Sequence, residues 1–332
     1  MQDLSDLVES MNRGDEIDYR DSRQVLAIRS MLDTDDEEMG YEVLLRPTLR
    51  CNFRCSHCFL EQEELSLTDA AVDKVLKAFS MLKNDNIMCV ISGGEPSIHP
   101  RFLDIIEGMG RFARRVMVQT NGSTMNQKIL DDITLMDKIM FFVSFPSHSE
   151  EKYNHITQSS SFNRVVKGLR EISTRAELIL NHVLIRENHT DLIHLIDFVA
   201  DVFDKKRTTL QISNIGTPPH DGQHEEYLVE YSVLKDKIRE AIRYAEYKGV
   251  TLELTTSGDC SFPLCFYMDI DSSILSRKEL LLASGERIAY GSYGKQFFKS
   301  EECRTCKYDR FCQGLLSAYA RSFGSRDIRP IR

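Results

Sequence analysis

The chain has 332 residues, of which 42% are hydrophobic and 28% are charged, a composition typical of globular proteins. Its net charge of −9 argues against a broad basic face for nucleic acid, and no apolar run approaches the ~20 residues that cross a bilayer. The acidic, polar N-terminus does not resemble a signal peptide, so we expect a cytoplasmic protein with no membrane or nucleic-acid partner.

The elements expected from the sequence alternate between strands and helices. Residues 1–40 are acidic and polar, and a weakly amphipathic stretch at 22–32 predicts a helical or partly mobile arm. Apolar runs predict strands at 42–46, 87–92, 115–120, 138–144, 178–185 and 209–214. Helical spacing predicts helices at 68–82, 101–112, 127–136, 163–174 and 190–203, and then a helix at 232–247 and a strand at 251–255.

This alternation predicts an α/β fold built from parallel βαβ units, with a sheet covered on both faces. Because further regular units are not evident, we expect a partial (β/α)6 TIM-like barrel rather than a closed one. A boundary near Lys248 divides the chain into an N-terminal arm (1–40), the barrel (41–248) and a small cysteine-rich domain (249–332).

The cysteines fall into two groups. Nine cysteines in a cytoplasmic chain favour metal or cluster ligation over disulfides, because that compartment keeps thiols reduced. Cys89 lies alone in an apolar strand and is interpreted as a small core residue. One group precedes the barrel helices and the other lies in the last quarter of the chain, which predicts two metal sites. The members are Cys51, Cys55 and Cys58 in the first group, and Cys260, Cys265, Cys303, Cys306 and Cys312 in the second.

The first group has C-x₃-C-x₂-C spacing directly after a predicted strand. Such a loop brings three thiolates to one [4Fe–4S] cluster and leaves one iron open to a substrate or cofactor. The alternative is a zinc knuckle that takes His57 as its fourth ligand.

Three short segments in chain order resemble motifs of the radical S-adenosylmethionine (SAM) superfamily. They are RCNFRCSHCFL at Arg50–Leu60, Gly93-Gly94-Glu95-Pro96 after the next strand, and Thr120-Asn121-Gly122 after the third. The resemblance covers roughly residues 42–215 and extends into the C-terminal region. It implies that SAM binds the open iron and is reductively cleaved to a 5′-deoxyadenosyl radical, which abstracts hydrogen from the substrate. By analogy, the reductant is a flavodoxin or ferredoxin.

The resemblance also implies which residues bind SAM. They are His57, Phe59, Gly93, Gly94, Glu95, Pro96, Thr120, Asn121, Ser144 and Asn181. The two glycines are expected where the backbone meets the SAM amino group, since a Cβ would block that approach. His57 stands where the family often has Tyr or Phe, and its ring can stack on adenine. For Thr120, Ser144 and Asn181, the alternative is a polar residue that caps a turn or helix.

The late cysteines resemble the auxiliary-cluster domains called SPASM and, in shorter form, twitch. The resemblance implies one auxiliary [4Fe–4S] cluster held by Cys265, Cys303, Cys306 and Cys312, with structural zinc as the alternative. Cys260 is ambiguous: it is an alternative ligand, a hydrogen-atom donor to a substrate radical, or an unligated cysteine.

Enzymes with such domains mostly modify ribosomally made (RiPP) precursor peptides or small natural-product precursors. We therefore expect a peptide or small-molecule substrate, the alternative being a sugar, nucleoside or amino-acid dehydrogenase or epimerase of antibiotic biosynthesis. The C-terminal sequence Arg329-Pro330-Ile331-Arg332 differs from the Gly-Gly tail of molybdenum-cofactor cyclases. A non-catalytic zinc protein is a distant alternative. The polar loop at 216–224 is expected beside the active site, with His220 or His224 as candidate substrate contacts.

Overall fold

The computed structural model describes most of the chain. The residues it describes are Glu9, Arg13, 18–19, 26–33, 38–58, 60, 62–82, 86–215, 225–255, 260–270, 297–309 and 312–332. The expected contacts of Phe59, His220 and His224 lie outside the described residues.

The centre of the fold is a sheet whose strand order equals the chain order. Its parallel part consists of seven strands, which confirms the predicted α/β architecture. These strands are β3 (Glu38–Thr48), β4 (Ile87–Gly93), β5 (Arg115–Thr120), β6 (Ile139–Ser144), β7 (Glu177–Val183), β8 (Thr208–Ser213) and β9 (Thr251–Leu254).

Helices connect the parallel strands and pack against the sheet. They are α1 (Asp69–Phe79), α2 (Phe102–Gly110), α3 (Gln127–Asp131), α4 (Glu150–Thr157), α5 (Phe162–Arg175), α6 (Leu192–Val202) and α7 (Tyr231–Lys248). Thr68 caps α1 by accepting a hydrogen bond from the amide of Ala71, and Gly249 ends α7 in the left-handed conformation that glycine adopts without strain. No helix among the residues just described is both long and apolar enough to cross a membrane.

The core lies between the sheet and these helices. Val43, Val116, Phe141, Leu178 and Leu210 on successive strands are all inaccessible to solvent. A sheet buried in this way positions the ends of its strands firmly, and all the parallel strands end at the same edge. That edge carries the candidate site.

The N-terminal arm differs from its prediction. The stretch expected to be an amphipathic helix contains β2 (Leu26–Asp33), which pairs antiparallel with β3 from Leu26↔Leu45 to Asp33↔Glu38. A two-residue strand, β1 (Asp18–Tyr19), pairs with β2 in turn. The helical spacing was a misleading signal, because pairing with the open edge of β3 satisfies a whole row of backbone groups.

Two further features concern the ends of the barrel units. The strand β9 lies beyond Lys248 and pairs parallel with β8, while the division of the chain into domains stays a prediction. The predicted helix at 163–174 is preceded by a separate helix, α4, which the sequence analysis did not identify. This helix contacts the candidate site.

The C-terminal region contains α8 (Leu264–Ile270), the paired strands β10 (Phe297–Phe298) and β11 (Leu315–Leu316), and α9 (Ser317–Phe323). It packs on the barrel through aromatic rings. Tyr231 of α7 and Tyr319 of α9 stack with ring centroids 3.9 Å apart, and the Tyr319 hydroxyl accepts a 2.8 Å hydrogen bond from the Tyr231 amide.

Candidate active site and second cysteine group

The first cysteine loop leaves the end of β3 and is held by α4. The amides of Arg54 and Ser56 donate hydrogen bonds of 3.2 and 3.0 Å to the carbonyls of Thr157 and Ile156, the last residues of α4. The amide of Cys58 donates to the carbonyl of Cys55 at 3.2 Å and closes the loop on itself. The loop therefore lies at the carboxyl edge of the sheet.

The thiols of this loop act on one another electrostatically. Burial raises the pKa of all three, and the neighbouring Cys58 and Cys51 help to raise the pKa of Cys55 to about 12. Three such thiols become thiolates together only when a cation compensates their charge. The amide of Phe53 donates to the Cys51 sulfur at 3.4 Å, and the Asn121 side chain does so at 3.8 Å. Thiolates with N–H donors at the sulfur are the ligand set of iron–sulfur clusters.

The Gly-Gly-Glu-Pro segment packs against the start of this loop. The amides of Gly94 and Glu95 donate to the carbonyls of Thr48 and Arg50 at 2.9 and 2.8 Å. A Cβ on Gly93, whose φ is +122°, would lie 2.3 Å from the Thr48 oxygen, and one on Gly94 would lie 2.0 Å from the Arg50 oxygen. The glycines are therefore required by the chain's own backbone, and their contact with the SAM amino group stays a prediction.

Glu95 connects the ends of β4 and β5. It is inaccessible to solvent, and its Oε1 accepts hydrogen bonds from the Ser97 amide at 3.1 Å, from the Thr120 hydroxyl at 2.6 Å and from the Ser97 hydroxyl. Its Oε2 accepts from the Asn121 amide at 2.6 Å. Burial raises the pKa of Glu95 in spite of these donors. Both oxygens thus serve the protein's own framework.

The Thr120-Asn121-Gly122 turn follows β5 and meets the cysteine loop. The Asn121 amide group donates to Asn52 Oδ1 at 2.8 Å as well as toward Cys51, and its Oδ1 accepts from the Ser123 amide at 2.9 Å. The Thr120 hydroxyl also accepts from the Gly122 amide at 3.0 Å. The two motifs that the sequence placed in one site are thus in direct contact.

A second row of polar groups crosses the ends of β6 to β8. Ser144 and Asn181 are register partners on β6 and β7. The Ser213 hydroxyl donates to Asn181 Oδ1 at 2.5 Å and lies 2.5 Å from the Thr255 hydroxyl. The structure therefore brings Ser144 and Asn181 together on this edge, and it links Asn181 to the next two strands.

Three further predicted residues lie in different parts of this edge. His57 is buried, at 8% exposure, and Pro96 begins a short 3₁₀ turn over Pro96–Ile98. Cys260 is half-buried, and its carbonyl accepts a 2.9 Å hydrogen bond from the amide of Asn214, just after β8. This places Cys260 near the carboxyl edge of the sheet.

The late cysteines come from three segments and line one small, partly open cavity. Its lining includes Cys265, Cys303, Cys306 and Cys312, whereas Cys260 is not among the lining residues. The Cys312 sulfur accepts hydrogen bonds from the amides of Leu264 at 3.4 Å and Gly314 at 3.3 Å.

The thiols of the second group also interact electrostatically, and this affects the pKa of Cys265. Burial raises its pKa to about 11, and the other three thiols add to the effect. In the described part of the chain, no three His, Cys, Asp or Glu side chains are arranged to hold a single metal ion.

Sequence reasoning missed the residues that hold the site in place. The Thr48 hydroxyl accepts a hydrogen bond from the Arg50 amide, and the Ser97 amide donates one to Glu95. The Asn52 side chain donates to the Ser123 hydroxyl, and Tyr153 of α4 is buried. Thr48, Asn52 and Ser97 lie next to the motifs, and this proximity was the one available signal. Tyr153 has helical spacing to Ile156 and looks like an ordinary core residue.

Comparison with protein families identifies the class of the enzyme. Residues 45–199 match the family model of the radical SAM superfamily. The chain therefore contains a radical SAM domain, the kind of domain that binds SAM and a [4Fe–4S] cluster. This match favours an enzyme over the alternative of a non-catalytic zinc protein.

Two proteins of similar sequence and one solved structure of similar fold also match the chain. The chain is 24% identical over 261 residues to AlbA, a protein of subtilosin bacteriocin biosynthesis in Bacillus subtilis; the alignment spans 75% of this chain but only 58% of AlbA. It is 24% identical to a probable GTP 3′,8-cyclase of Saccharolobus islandicus, over 63% of this chain and 73% of that protein. The fold matches Streptococcus suis SuiB bound to SAM with a TM-score of 0.59 at 14% identity, over 87% of this chain and 76% of SuiB.

Proposed function

We propose that this enzyme modifies a peptide, with two iron–sulfur clusters, one at each cysteine group. The observation that carries the proposal is the shared cavity of Cys265, Cys303, Cys306 and Cys312, whose four thiols would form a centre in addition to the three-thiol centre of the radical SAM domain. AlbA takes part in bacteriocin biosynthesis, and a SuiB structure contains its precursor peptide SuiA. Both comparisons support a peptide substrate.

In this proposal, the residues at the carboxyl edge have separate tasks. Cys51, Cys55 and Cys58 would hold the first cluster, which supplies the electron that cleaves SAM when both are bound. Asn121 and the Phe53 amide, which donate to the Cys51 sulfur, would stabilise the negative charge on that thiolate. Glu95 holds the two motif loops together, so its role is to position them.

The polar row at Ser144, Asn181 and Ser213 would bind the cofactor's hydroxyl or carboxylate groups, because its members lie side by side at the strand ends. His57, Phe59 and Pro96 are proposed to complete the SAM site. Cys260 lies near this edge rather than on the second cavity, which favours a hydrogen donor over a ligand.

Anaerobic reconstitution tests the metal part of the proposal. Two [4Fe–4S] clusters require about eight irons per chain. We expect Cys55→Ala and Cys306→Ala each to lose about half of that iron, whereas Cys89→Ala, a buried strand cysteine, should keep it all. One zinc and about four irons in the wild-type protein would instead assign structural zinc to the second group.

Mass spectrometry tests the substrate. The reconstituted enzyme with SAM and dithionite, or a flavodoxin, is incubated with the short peptides encoded beside its gene. We expect a peptide mass change that depends on Cys55.

A second candidate, a small-molecule reaction on a nucleotide, follows from the similarity to GTP 3′,8-cyclases. Consumption of GTP with no change in any peptide would favour it and overturn the peptide proposal.

A further inference from the structure

Ser213 connects the polar row at the strand ends to the residue that follows β9. Its hydroxyl donates to Asn181 Oδ1 at 2.5 Å and lies 2.5 Å from the hydroxyl of Thr255. A hydroxyl has one proton, and since Ser213 gives its proton to Asn181, it must accept the proton of Thr255. Thr255 Oγ1 in turn accepts from Gln211 Nε2 at 2.9 Å. These hydrogen bonds therefore all run in one direction and end on the Asn181 oxygen.

This direction determines how the Asn181 amide is turned. Because Ser213 occupies its oxygen, the amide nitrogen with its two N–H donors lies on the other side of the group. In the described part of the chain, nothing accepts a hydrogen bond from that nitrogen. The register partner Ser144 likewise makes no side-chain hydrogen bond to a described residue. Two polar groups thus stay available next to each other at the carboxyl edge of the sheet.

The backbone of Thr255 is held from two sides. Its amide donates to the Ile212 carbonyl at 2.9 Å, which continues the pairing of β9 with β8. Its carbonyl accepts from the hydroxyl of Tyr267 in α8, and the same hydroxyl accepts from the Phe262 amide at 2.8 Å. Tyr267 is inaccessible to solvent. The sheet and the C-terminal region together fix the backbone from which Thr255 presents its hydroxyl to Ser213.

We propose that Thr255 is a positioning residue for SAM: through Ser213 it turns the Asn181 amide so that its N–H groups bind an oxygen of SAM. This inference deepens and rests on the proposed function, in which the polar row binds the cofactor. Ser213 is only 1% exposed, so its part in that row is to orient Asn181. An amide that is fixed in advance loses less conformational freedom on binding than one that rotates. Thr255 lies outside residues 45–199, which match the family model.

Equilibrium binding of SAM to the reconstituted, oxidised protein tests the proposal, because SAM is not cleaved without an electron. The variant is Thr255→Val, which removes the hydroxyl and keeps the shape of the side chain. The matched control is Thr208→Val at the opposite end of β8, where the buried hydroxyl bonds to no described group. We expect an about tenfold higher Kd for Thr255→Val and an unchanged Kd for the control. Thr255→Ser, which keeps the hydroxyl, should bind SAM like wild type.

Two further measurements separate orientation of Asn181 from a general structural role. If Thr255 acts through Asn181, the effect of Thr255→Val should disappear in an Asn181→Ala background. Asn181→Asp keeps an oxygen toward Ser213 but offers SAM no donor, so it should also bind SAM about tenfold more weakly. Additive effects of Thr255→Val and Asn181→Ala, or wild-type affinity in Asn181→Asp, would overturn the proposal.

The iron content of each variant distinguishes this inference from the proposed function. Thr255→Val with full iron content and wild-type affinity for SAM would overturn the inference and leave the proposed function intact. A reconstituted wild-type protein that binds no SAM would overturn both. The affinity of Asn181→Asp decides the question even when Thr255→Val takes up less iron than wild type.

Discussion

Replacement of Glu95 with glutamine changes one atom of a buried side chain, and the contacts of that atom set the expected cost. Glutamine can keep its oxygen toward Ser97 and Thr120, but its amide nitrogen then faces the N–H of Asn121, which Glu95 Oε2 accepts at 2.6 Å. A hydrogen bond to a charged group contributes about 1.5–3 kcal/mol, and a buried donor without an acceptor costs a similar amount. Relief from burying a carboxylate offsets part of this loss. We expect Glu95→Gln to lower the free energy of unfolding by about 2 kcal/mol.

Urea unfolding of the metal-free protein at pH 8, followed by circular dichroism, measures this change. The matched control is Glu107→Gln, because Glu107 also accepts from an amide and a hydroxyl, both of Thr134, but at the surface. That control should cost less than about 0.5 kcal/mol. Equal effects of the two substitutions would refute the argument that burial makes the Glu95 contacts important.

The pH dependence of the unfolding free energy of wild type and Glu95→Gln gives an independent check. Burial raises the pKa of Glu95 above its ordinary value near 4.5, so at a pH between the unfolded and the folded pKa the folded protein holds a proton there that the unfolded chain has released. The stability that this proton contributes is present in full below pH 4.5 and is lost as the pH rises through the folded pKa. The difference in unfolding free energy between wild type and Glu95→Gln should therefore shrink as the pH rises.

Three other substitutions test different parts of the structure. Gly94→Ala places a Cβ 2.0 Å from a backbone oxygen and should destabilise the protein by about 3 kcal/mol and reduce its iron content. The control is Gly249→Ala, whose Cβ would meet only the end of the Lys205 side chain at 3.8 Å and which should cost about 1 kcal/mol from its left-handed conformation alone. Burial lowers the pKa of His182 to about 4, so the stability due to its neutral form is lost as the pH falls from 6.5 to 4. Over that range, the unfolding free energy of wild type should fall by about 3 kcal/mol more than that of His182→Gln. Equal losses would contradict the lowered pKa of His182. Tyr319→Phe removes the acceptor of the Tyr231 amide and the partner of Asp327, and should lower the unfolding free energy by about 2 kcal/mol in thermal or urea unfolding.

The parallel sheet could be predicted from the sequence because each strand carries its own signal. The runs at Ile87–Gly93 and Arg115–Thr120 are apolar, short and bounded by turn residues, so local pattern and tertiary role agree. The strand Leu26–Asp33 could not be predicted, because its helical spacing conflicts with a pairing partner that only the folded sheet supplies.

The candidate site was likewise predictable from the sequence only in part. The cysteine spacing and the two motif turns mark where the chemistry lies, and the structure brings Asn121 next to Cys51. The sequence alone does not show that both carboxylate oxygens of Glu95 accept hydrogen bonds from the protein, or that carbonyls of α4 accept hydrogen bonds from the loop. These contacts join residues that are far apart in the chain. For the second group, the sequence favoured Cys265 as the ligand with Cys260 as an alternative, and the cavity is lined by Cys265 and not by Cys260. The ligand set of this group stays a prediction.

The hydrogen bonds that hold the first cysteine loop determine what is left of the site after oxygen has destroyed a cluster. Four backbone hydrogen bonds hold the loop, two from α4 and two from the Gly-Gly-Glu-Pro segment, and the polypeptide supplies all of them. Zinc fingers, by contrast, fold only when the metal arrives. A cluster destroyed by oxygen would leave behind a loop that keeps its shape, so repair requires new iron and sulfide but no refolding of the chain.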